Sequence, residues 1–465
     1  MPTFDPEQLA QWSEGRWTRQ PAAPLAAFSF DTRKLRGGDV FVALKTGKRD
    51  GHDFLADARA AGASAALVTS ADPAVALPQL VVNDTLAAFQ TIAREHRRGF
   101  RGPIVGVSGS AGKTSTKDLL ALLLGGASGG VLATEGNLNN HLGVPLTLTR
   151  IDPAQHKFAV VEAGISTPGE MAPLARMIEP DVAIITLVAP AHTEELGGVG
   201  GVAREKSILP AMTRPHGVAI FPQSVAEFPA FRELGVRTLV VERVEVLRAG
   251  EPAKNRVYFS VSHRADSTAV QLASSGRSRE YVFRRVSDGM AQNATLAIIT
   301  ARWLGVAGDL VQARLAAWKP AKLRGEIRRL DGRLLYLDCY NANPASMADA
   351  LAAFESVAPG GASRLFVIGC MEELGTDAAA HHQALGRSLQ LRDNDQLFVI
   401  GTHAHDICAG VLQQGDFTRQ IQIVSTLEPV SAFLADWRGS VFVKGSRRYQ
   451  LEKILEVQTS LPLPC

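Results

Sequence analysis

A glycine-rich segment that ends in a lysine and a threonine carries the most recognisable chemistry in the chain. It reads Gly109-Ser110-Ala111-Gly112-Lys113-Thr114-Ser115 and lies between the apolar run 104–107 and a helical pattern over 114–124. Glycines allow a turn that directs backbone N–H groups at phosphate oxygens, while Lys113 adds charge and Thr114 a hydroxyl for magnesium. The widespread P-loop spacing would place glycine at position 107, where valine stands. The shorter Gly-x-x-Gly-Lys-Thr pattern therefore predicts nucleotide binding, against the alternative of a plain glycine turn before a helix.

Three further polar side chains follow predicted strands. Glu162 ends the apolar run 158–161, His192 comes after the run 182–188, and Lys206 lies on the next helical pattern. The carboxyl ends of parallel strands are where an α/β sheet collects its ligand groups, so Glu162 is a predicted magnesium ligand. Each residue alone also has an ordinary interpretation, as a helix-capping carboxylate, a structural histidine or a solvated lysine.

Composition narrows the class of protein. The 49 basic and 46 acidic residues leave a formal charge of +3 without a long run of like charge, so nucleic acid is not an expected partner. The four cysteines lack the short paired spacings of a zinc site or a dense disulfide framework, which favours a reducing compartment. The N-terminus shows no signal-like segment, and no apolar run approaches the roughly 18 residues of a membrane span. We expect a cytoplasmic protein.

The order of strand and helix patterns predicts an α/β protein of three domains. Residues 1–101 alternate short strands with helices, as in a small α/β domain. Residues 102–318 predict a central P-loop-type parallel sheet with an antiparallel flank between about 215 and 290. Residues 319–465 predict a doubly wound, Rossmann-like domain.

From about residue 28 to 453 these features together resemble the Mur ligases of peptidoglycan synthesis. The N-terminal segments Phe30-Asp31-Thr32-Arg33 and Asp50-Gly51-His52-Asp53-Phe54 resemble a region that binds the uridine nucleotide, with Thr32 where serine is usual. The segment Thr134-Glu135-Gly136-Asn137-Leu138-Asn139-Asn140 resembles one for the substrate pyrophosphate and muramoyl group. The resemblance therefore implies substrate binding by Thr32, Arg33, Asp50, Gly51, His52, Thr134, Asn137, Asn139 and Asn140.

The most specific segment is Tyr340-Asn341-Ala342-Asn343-Pro344-Ala345-Ser346-Met347. It resembles the branch of the family that adds D-alanyl-D-alanine. By this resemblance the nucleotide would be bound by Asn293, Arg324, Asp338, Asn341 and Asn343, and the dipeptide site would be shaped by Lys444, Ser446 and Arg447. The chain departs from the family at Cys339, usually serine, at Cys370, usually aspartate, and before Asn293, where a histidine is common.

The implied reaction joins UDP-N-acetylmuramoyl-tripeptide to D-alanyl-D-alanine through an acyl phosphate made from ATP. Lys113, Glu162, His192 and Lys206 would be its catalytic residues. Two magnesium ions are implied, one on Thr114 and Glu162 and a second on His192, with Lys206 as a CO₂-derived carbamate ligand. A monomer is expected. Two alternatives stay open: another amide ligase of this type, such as a third-residue-adding or folylpolyglutamate-like enzyme, and an ATP-binding relative without activity. The Asp-Asn-Pro-Arg tetrapeptide of the third-residue-adding ligase does not occur.

Overall fold

The computed structural model describes residues 2–247, 255–274, 277–330 and 332–455, and it contains three β-sheets that follow one another along the chain. Most neighbouring strands are parallel and helices connect them, so the predicted α/β class is confirmed. We refer to the N-terminal, central and C-terminal regions by their sheets. The predicted domain limits at 101/102 and 318/319 fall between the sheets and stay a prediction.

The N-terminal sheet has five strands in the order β1-β5-β4-β3-β2, all parallel except β1. Its strands are β1 Arg16–Trp17, β2 Phe28–Ser29, β3 Val40–Val42, β4 Ala65–Val68 and β5 Gln79–Val81, and its helices are α1 Pro6–Ser13, α2 Leu55–Ala60 and α3 Thr85–Gly99. Asp84 begins α3 by accepting the Ala87 N–H at 2.9 Å, as expected of an aspartate cap.

The central sheet has nine strands in the order β14-β13-β12-β11-β10-β9-β6-β8-β7. Strands β12 to β14 pair antiparallel and the others parallel, which confirms the predicted antiparallel flank over 256–284. The prediction was wrong for the start of the range at about 215, because β10 and β11 are parallel strands. The strands are β6 Ile104–Ser108, β7 Val131–Ala133, β8 Phe158–Glu162, β9 Val182–Ile185, β10 Val218–Pro222, β11 Thr238–Arg243, β12 Arg256–His263, β13 Ser267–Ser274 and β14 Arg277–Arg284. The helices are α4 Lys113–Leu124, α5 Gly143–Leu148, α6 Met171–Ile178, α7 Thr193–Leu196, α8 Gly198–Ala211, α9 Gln223–Ala226, α10 Pro229–Arg232, α11 Asp288–Trp303 and α12 Gly308–Ala317.

The C-terminal sheet has six strands in the order β15-β16-β20-β17-β18-β19, parallel except for β15. Its strands are β15 Glu326–Leu330, β16 Arg333–Leu337, β17 Arg364–Gly369, β18 Gln396–Ile400, β19 Ile421–Val424 and β20 Ser440–Lys444. Its helices are α13 Pro344–Val357, α14 Ala378–Ser388, α15 Ala404–Leu412 and α16 Glu428–Asp436. The return of the chain from β19 to β20, in the middle of the sheet, is the doubly wound arrangement expected from the sequence.

Each sheet is covered on both faces because successive residues of its strands point to opposite sides. Val105 and Val107 of β6 pack in one central cluster with α4 and α11, whereas Ile104 packs in the cluster on the other face with α6 and α8. The same alternation separates Leu334 from Leu335 in β16. This two-sided burial accounts for strands that are apolar at nearly every position.

The N-terminal and central regions are joined by a buried arginine of α3. Arg97 is fully enclosed, and its Nε donates to the Ile178 carbonyl at 2.6 Å. Its guanidinium also pairs with Asp181 at 3.3 Å. The link between the central and C-terminal regions is different, since it contains Pro320 and a left-handed Leu323 with φ of 61°. The N-terminal region is therefore attached through a fully buried side chain, whereas the chain enters the C-terminal region through a short segment that is not fully buried.

Candidate functional site

A cavity of about 480 Å³ lies between the central and C-terminal regions. This volume is within the usual range for small-molecule sites. The predicted site residues that line it are Ser110, Ala111, Gly112, Lys113, Thr114, Ser115, Asn137, Asn139, Asn140, Glu162, His192, Asn293, Arg324, Asp338, Asn341, Asn343 and Lys444. The structure thus brings together groups separated by more than 300 positions in the sequence.

The glycine-rich loop connects β6 to α4 as predicted. Gly109 has φ of +147°, and a Cβ there would lie 1.9 Å from the Thr186 hydroxyl oxygen. Gly112 has φ of +79°, and a Cβ there would lie 2.2 Å from the Asn293 side-chain nitrogen. Both positions therefore require glycine for conformation and for space. The N-terminus of α4 is left facing the cavity, which suits an anionic ligand.

The chain after β9 holds this loop in place. Ser110 donates from its hydroxyl to the Ala189 carbonyl at 2.9 Å, and its N–H donates to the Leu187 carbonyl at 2.8 Å. We expected a strand over 182–188, but β9 ends at Ile185 because the following residues turn to bind the loop. Thr186 and residues 187–189 are thus loop-positioning residues, which no pattern in the sequence indicates.

Lys113 and Thr114 already have partners. The Lys113 ammonium donates to the Gly109 carbonyl at 2.8 Å, and Arg324 donates to the Thr114 hydroxyl at 3.1 Å. Burial lowers the pKa of Lys113, and the nearby charge of Glu162 opposes this effect. The Arg324 guanidinium also lies 4.0 Å from the centre of the Tyr340 ring. A cation from the C-terminal region therefore stands beside the phosphate loop, as the resemblance implies for Arg324.

One carboxylate oxygen of Glu162 has no hydrogen-bond partner among the described residues. Its side chain is 1% exposed at the end of β8, and Oε1 accepts a hydrogen bond from the Asn139 amide at 2.8 Å. Oε2 is buried and makes no hydrogen bond within the described part of the chain. A buried carboxylate oxygen is costly unless a donor or a cation meets it. Its position beside Thr114 and Lys113 fits a metal ion on the terminal phosphates of a nucleotide.

Thr134 takes a supporting position rather than one on the cavity. It is 1% exposed, its hydroxyl accepts the Glu162 N–H at 3.0 Å, and its carbonyl accepts from the Lys117 ammonium at 2.6 Å. Lys117 is itself buried and pairs with Asp118 at 2.7 Å. The neighbouring Asn137 and Asn140 do line the cavity. Lys117 was not among the predicted site residues, because its contacts depend on the packing of α4 against β7.

His192 is in contact with the C-terminal region. Its backbone is left-handed with φ of 55°, and its Nδ1 lies against a carboxylate oxygen of Glu373, itself left-handed with φ of 61°. Thr193 adds a hydrogen bond to the Leu374 carbonyl at 3.2 Å. Burial lowers the pKa of His192, and Glu373 opposes this effect. Two uncommon backbone conformations meet here, so the metal-ligand candidate is oriented from a second sheet.

Lys206 lies on α8, is 2% exposed and does not line the cavity. Its ammonium has no hydrogen bond or ion pair among the residues that the structure describes. Burial, and after it the positive charge of Lys113, lower the pKa of Lys206 well below its usual range. A neutral amine close to Lys113 and His192 is the form that reacts with CO₂.

The Glu373 loop is held from behind by His382, a buried residue of α14. His382 donates from Nδ1 to the Ala378 carbonyl at 2.6 Å, and Nε2 accepts the Met371 N–H at 2.9 Å. This pair of bonds requires the neutral ring with its proton on Nδ1. Burial lowers the pKa of His382.

We expect His382 to make folding pH-dependent. As pH falls below about 6.5, the unfolded chain takes up a proton that folded His382 resists, so stability declines with acidity. Thermal unfolding temperatures between pH 7.5 and 5.5 should therefore fall less steeply in His382→Asn than in the parent. His381→Asn, on the same helix and partly exposed, is the matched control. Equal slopes for His382→Asn and the parent would contradict this prediction.

The segment between β16 and α13 supplies the C-terminal wall of the cavity. Asn343 caps α13 by accepting the Ser346 N–H at 2.9 Å, and its side-chain amide donates to the Ser110 carbonyl at 3.2 Å. Asn341 accepts the Ala342 N–H at 2.9 Å through its side chain. Asn343 therefore joins the phosphate loop to the C-terminal sheet, in addition to its predicted place on the nucleotide.

The predicted uridine-site residues form a separate group at the carboxyl ends of β2 and β3. Asp31 accepts two side-chain bonds from Arg33, which lower the pKa of Asp31 to about 2. Asp50 accepts hydrogen bonds from the backbone N–H and from the ring Nδ1 of His52, and these bonds lower the pKa of Asp50 to about 2. Because β2 and β3 are adjacent and parallel, the two turns share one edge of the sheet. Thr32 and Gly51 lie in the same turns.

Ser446 and Arg447 lie beyond β20, outside the cavity lining. Ser446 donates from its N–H to the Cys370 carbonyl at 3.3 Å, and Arg447 lies 5.8 Å from the centre of the Tyr340 ring. The two cysteine departures are core positions: Cys339 and Cys370 are fully buried in apolar clusters, where burial raises the pKa of each thiol to about 12. Neither thiol lines the cavity.

Three models of one protein family match most of the chain. Residues 26–97 match the "Mur ligase family, catalytic domain", residues 107–301 the "Mur ligase middle domain", and residues 323–447 the "Mur ligase, glutamate ligase domain". The UDP-N-acetylmuramoyl-tripeptide--D-alanyl-D-alanine ligase of Escherichia coli is 32% identical over 93% of each chain. The chain belongs to the Mur ligase family. The corresponding ligase of Treponema pallidum is 30% identical over 92% of each chain.

Two solved structures superpose on more than nine-tenths of this Mur ligase. MurF from Acinetobacter baumannii superposes with a TM-score of 0.86 at 28% identity and covers 99% of this chain and 100% of its own. MurF from Thermotoga maritima in complex with ADP superposes with a TM-score of 0.78 at 27% identity, over 93% and 96% of the two chains. This Mur ligase is thus an ATP-dependent enzyme of the amide-forming class.

Two features are absent from the described part of this Mur ligase. Within residues 2–247, 255–274, 277–330 and 332–455, no helix is both long and apolar enough to cross a membrane. The same residues contain no group of three or more His, Cys, Asp and Glu side chains arranged to hold a metal ion.

Proposed function

We propose that this Mur ligase joins D-alanyl-D-alanine to UDP-N-acetylmuramoyl-tripeptide, giving UDP-N-acetylmuramoyl-pentapeptide, ADP and phosphate for peptidoglycan synthesis. The relatives named for this reaction match more than nine-tenths of the chain. The observation that carries the proposal is that the phosphate loop, Glu162 and the segment 338–343 line a common cavity. A reaction that uses ATP and a nucleotide-linked substrate belongs in the cytoplasm. The monomer expected from the sequence stays a prediction.

The predicted site residues would bind ATP and position the reacting groups. The N–H groups of the phosphate loop and Lys113 hold and neutralise the ATP phosphates, so that the tripeptide carboxylate can approach the terminal phosphorus. Attack by that carboxylate breaks the bond to ADP and forms an acyl phosphate. The dipeptide amine then attacks the acyl carbon, phosphate leaves and an amide remains. Because ATP and both substrates carry anionic phosphate or carboxylate groups, positioning and charge neutralisation provide most of the acceleration.

Magnesium fits the donors on the cavity wall. The unpaired Oε2 of Glu162 and the Thr114 hydroxyl would hold one ion against the nucleotide phosphates, and His192 a second beside the carboxylate that reacts. When bound, magnesium stabilises negative charge on the transferring phosphoryl oxygens. Arg324 would turn from the Thr114 hydroxyl towards the phosphates.

We further propose that Lys206 carries a carbamate. The neutral amine adds CO₂ and releases a proton, which converts a cation into an anionic oxygen ligand. Its burial and its lack of a partner within the described residues support this step, because a buried ammonium without a carboxylate is costly. The carbamate would also offset the positive charge of Lys113.

The alternatives are less well supported. An inactive relative could retain the fold, but the departures at Cys339 and Cys370 lie in the core, and the cavity keeps Lys113, Thr114, Glu162 and His192. A third-residue-adding or folylpolyglutamate-like ligase would share the ATP site and differ in the acceptor as well as in the incoming amine. Folylpolyglutamate synthase from Mycobacterium tuberculosis shares only the fold, with 16% identity and a TM-score of 0.61.

The test is phosphate release with the purified chain, ATP, magnesium, UDP-N-acetylmuramoyl-tripeptide and D-alanyl-D-alanine. We expect release that needs both acceptor and dipeptide, with a pentapeptide product of the corresponding mass. Reactions with lysine-containing and diaminopimelate-containing tripeptides would show which third residue is accepted. Folded protein that releases phosphate with a single amino acid but not with the dipeptide would point to another ligase of this family.

A further inference from the structure

Lys444, at the end of β20, is a cation enclosed by the C-terminal sheet. It is 1% exposed, and its ammonium faces three oxygen atoms. The Asp338 carboxylate accepts at 2.6 Å, the Asp338 carbonyl at 3.3 Å and the Asn341 carbonyl at 3.2 Å. All three acceptors belong to the segment between β16 and α13, and β16 is the strand paired directly with β20.

These contacts use the whole donor capacity of the side chain. A lysine ammonium has three N–H donors and no acceptor. With each donor directed at residues 338–341, none remains for the carboxylate of an incoming dipeptide. The place in the dipeptide site that the family resemblance suggests for Lys444 therefore does not fit its hydrogen bonds.

The segment that Lys444 holds is a wall of the nucleotide cavity. Asp338, Tyr340, Asn341 and Asn343 all line the cavity. The Asp338 backbone is fixed from the same strand as Lys444, since its N–H donates to the Val443 carbonyl at 2.9 Å. Within the described residues, the Asp338 carboxylate has no hydrogen bond other than the one from Lys444, and its side chain is 21% exposed. Its second oxygen is available to a ligand.

We propose that Lys444 is a positioning residue for the nucleotide and makes no contact with the dipeptide. It fixes the turn after β16 and neutralises Asp338, so that the free carboxylate oxygen can accept a hydrogen bond from a sugar hydroxyl of the nucleotide. Without this cation, an unpaired carboxylate would stand beside a polyphosphate and repel it. This inference rests on the proposed ATP site but not on the identity of the incoming amine.

The experiment compares Lys444→Met with Lys453→Met, an exposed lysine of the same region. ADP affinity is measured by calorimetry without other substrates, and KM values are measured for ATP and for D-alanyl-D-alanine. We expect Lys444→Met to weaken ADP binding and to raise the KM for ATP by about tenfold or more, since it leaves the partly exposed Asp338 carboxylate without its cation at the nucleotide cavity. The KM for the dipeptide should stay within about twofold of the parent. Lys453→Met should resemble the parent in all three.

A second variant covers the case in which Lys444→Met does not fold. The double variant Asp338→Asn with Lys444→Met removes both charges, so it should fold. It should bind ADP more tightly than Lys444→Met does. If Lys444→Met is unfolded, the double variant should still show measurable ADP binding. Parent-like ADP affinity together with a raised dipeptide KM in Lys444→Met would overturn the inference, as would a double variant that folds without any ADP binding. A parent enzyme that binds ADP but makes no pentapeptide would refute the proposed function and leave this inference standing.

Discussion

Lys206→Ala should lower the rate of ADP formation roughly 100- to 1,000-fold, because the proposed carbamate is the anionic group beside Lys113 and His192. Truncation to alanine leaves a space in which a small carboxylate could take the place of the carbamate. Formate or acetate should therefore restore activity in this variant by roughly tenfold and leave the parent unaffected. Phosphate release measured against carboxylate concentration checks both effects.

Two controls separate modification from simple packing. Lys157→Ala removes an exposed lysine of the central region and should keep full activity. With ¹³C-labelled bicarbonate, the parent should show a carbamate resonance that is missing from Lys206→Ala. Activity of Lys206→Ala close to that of the parent, or a parent without the resonance under turnover conditions, would rule out the carbamate.

Glu162→Gln should lower turnover by at least about 100-fold while keeping the shape of the side chain. In the parent, we expect magnesium to strengthen ADP binding, because the unpaired Oε2 holds an ion against the phosphates. In the variant this effect of magnesium should largely disappear, while ADP binding in the presence of a chelator should persist. Calorimetric titration of ADP with and without magnesium makes the comparison.

The same substitution predicts a change in stability. Because Oε2 is buried without a hydrogen bond within the described residues, the metal-free protein carries a destabilising charge. Glu162→Gln should therefore unfold at the same or a higher temperature than the parent in a chelator. Glu227→Gln, an exposed position of the central region, is the matched control. Full magnesium dependence in Glu162→Gln would exclude Glu162 as a ligand.

Local sequence patterns predicted the parts of the site that depend on neighbouring residues. The strand, glycine turn and helix around Gly109 to Thr114 are determined within about 20 positions, and they were predicted correctly. The alternation of strands and helices predicted the α/β class correctly, because strands buried on both faces are apolar throughout and are easy to recognise. The place of Glu162 at a strand end also followed from this pattern.

The sequence did not predict the contacts between the three regions. Glu373 is an ordinary acidic residue in the sequence, and only the packing of two sheets places it against His192. The strand β9 is shorter than expected because Leu187 and Ala189 bind Ser110 instead of a neighbouring strand. Lys444 matched a family segment, but its three acceptors lie about 100 positions earlier in the chain. Each of these roles depends on tertiary distance and leaves no periodic pattern.

The enclosed guanidinium of Arg97 has a consequence for how substrates enter. Any movement that separates the N-terminal and central regions would expose Arg97 and break its bonds to Ile178 and Asp181. The C-terminal region has no such buried anchor at the segment around Pro320 and Leu323. We therefore expect the enzyme to open as two rigid bodies about one hinge, with the predicted uridine-site residues on the larger body.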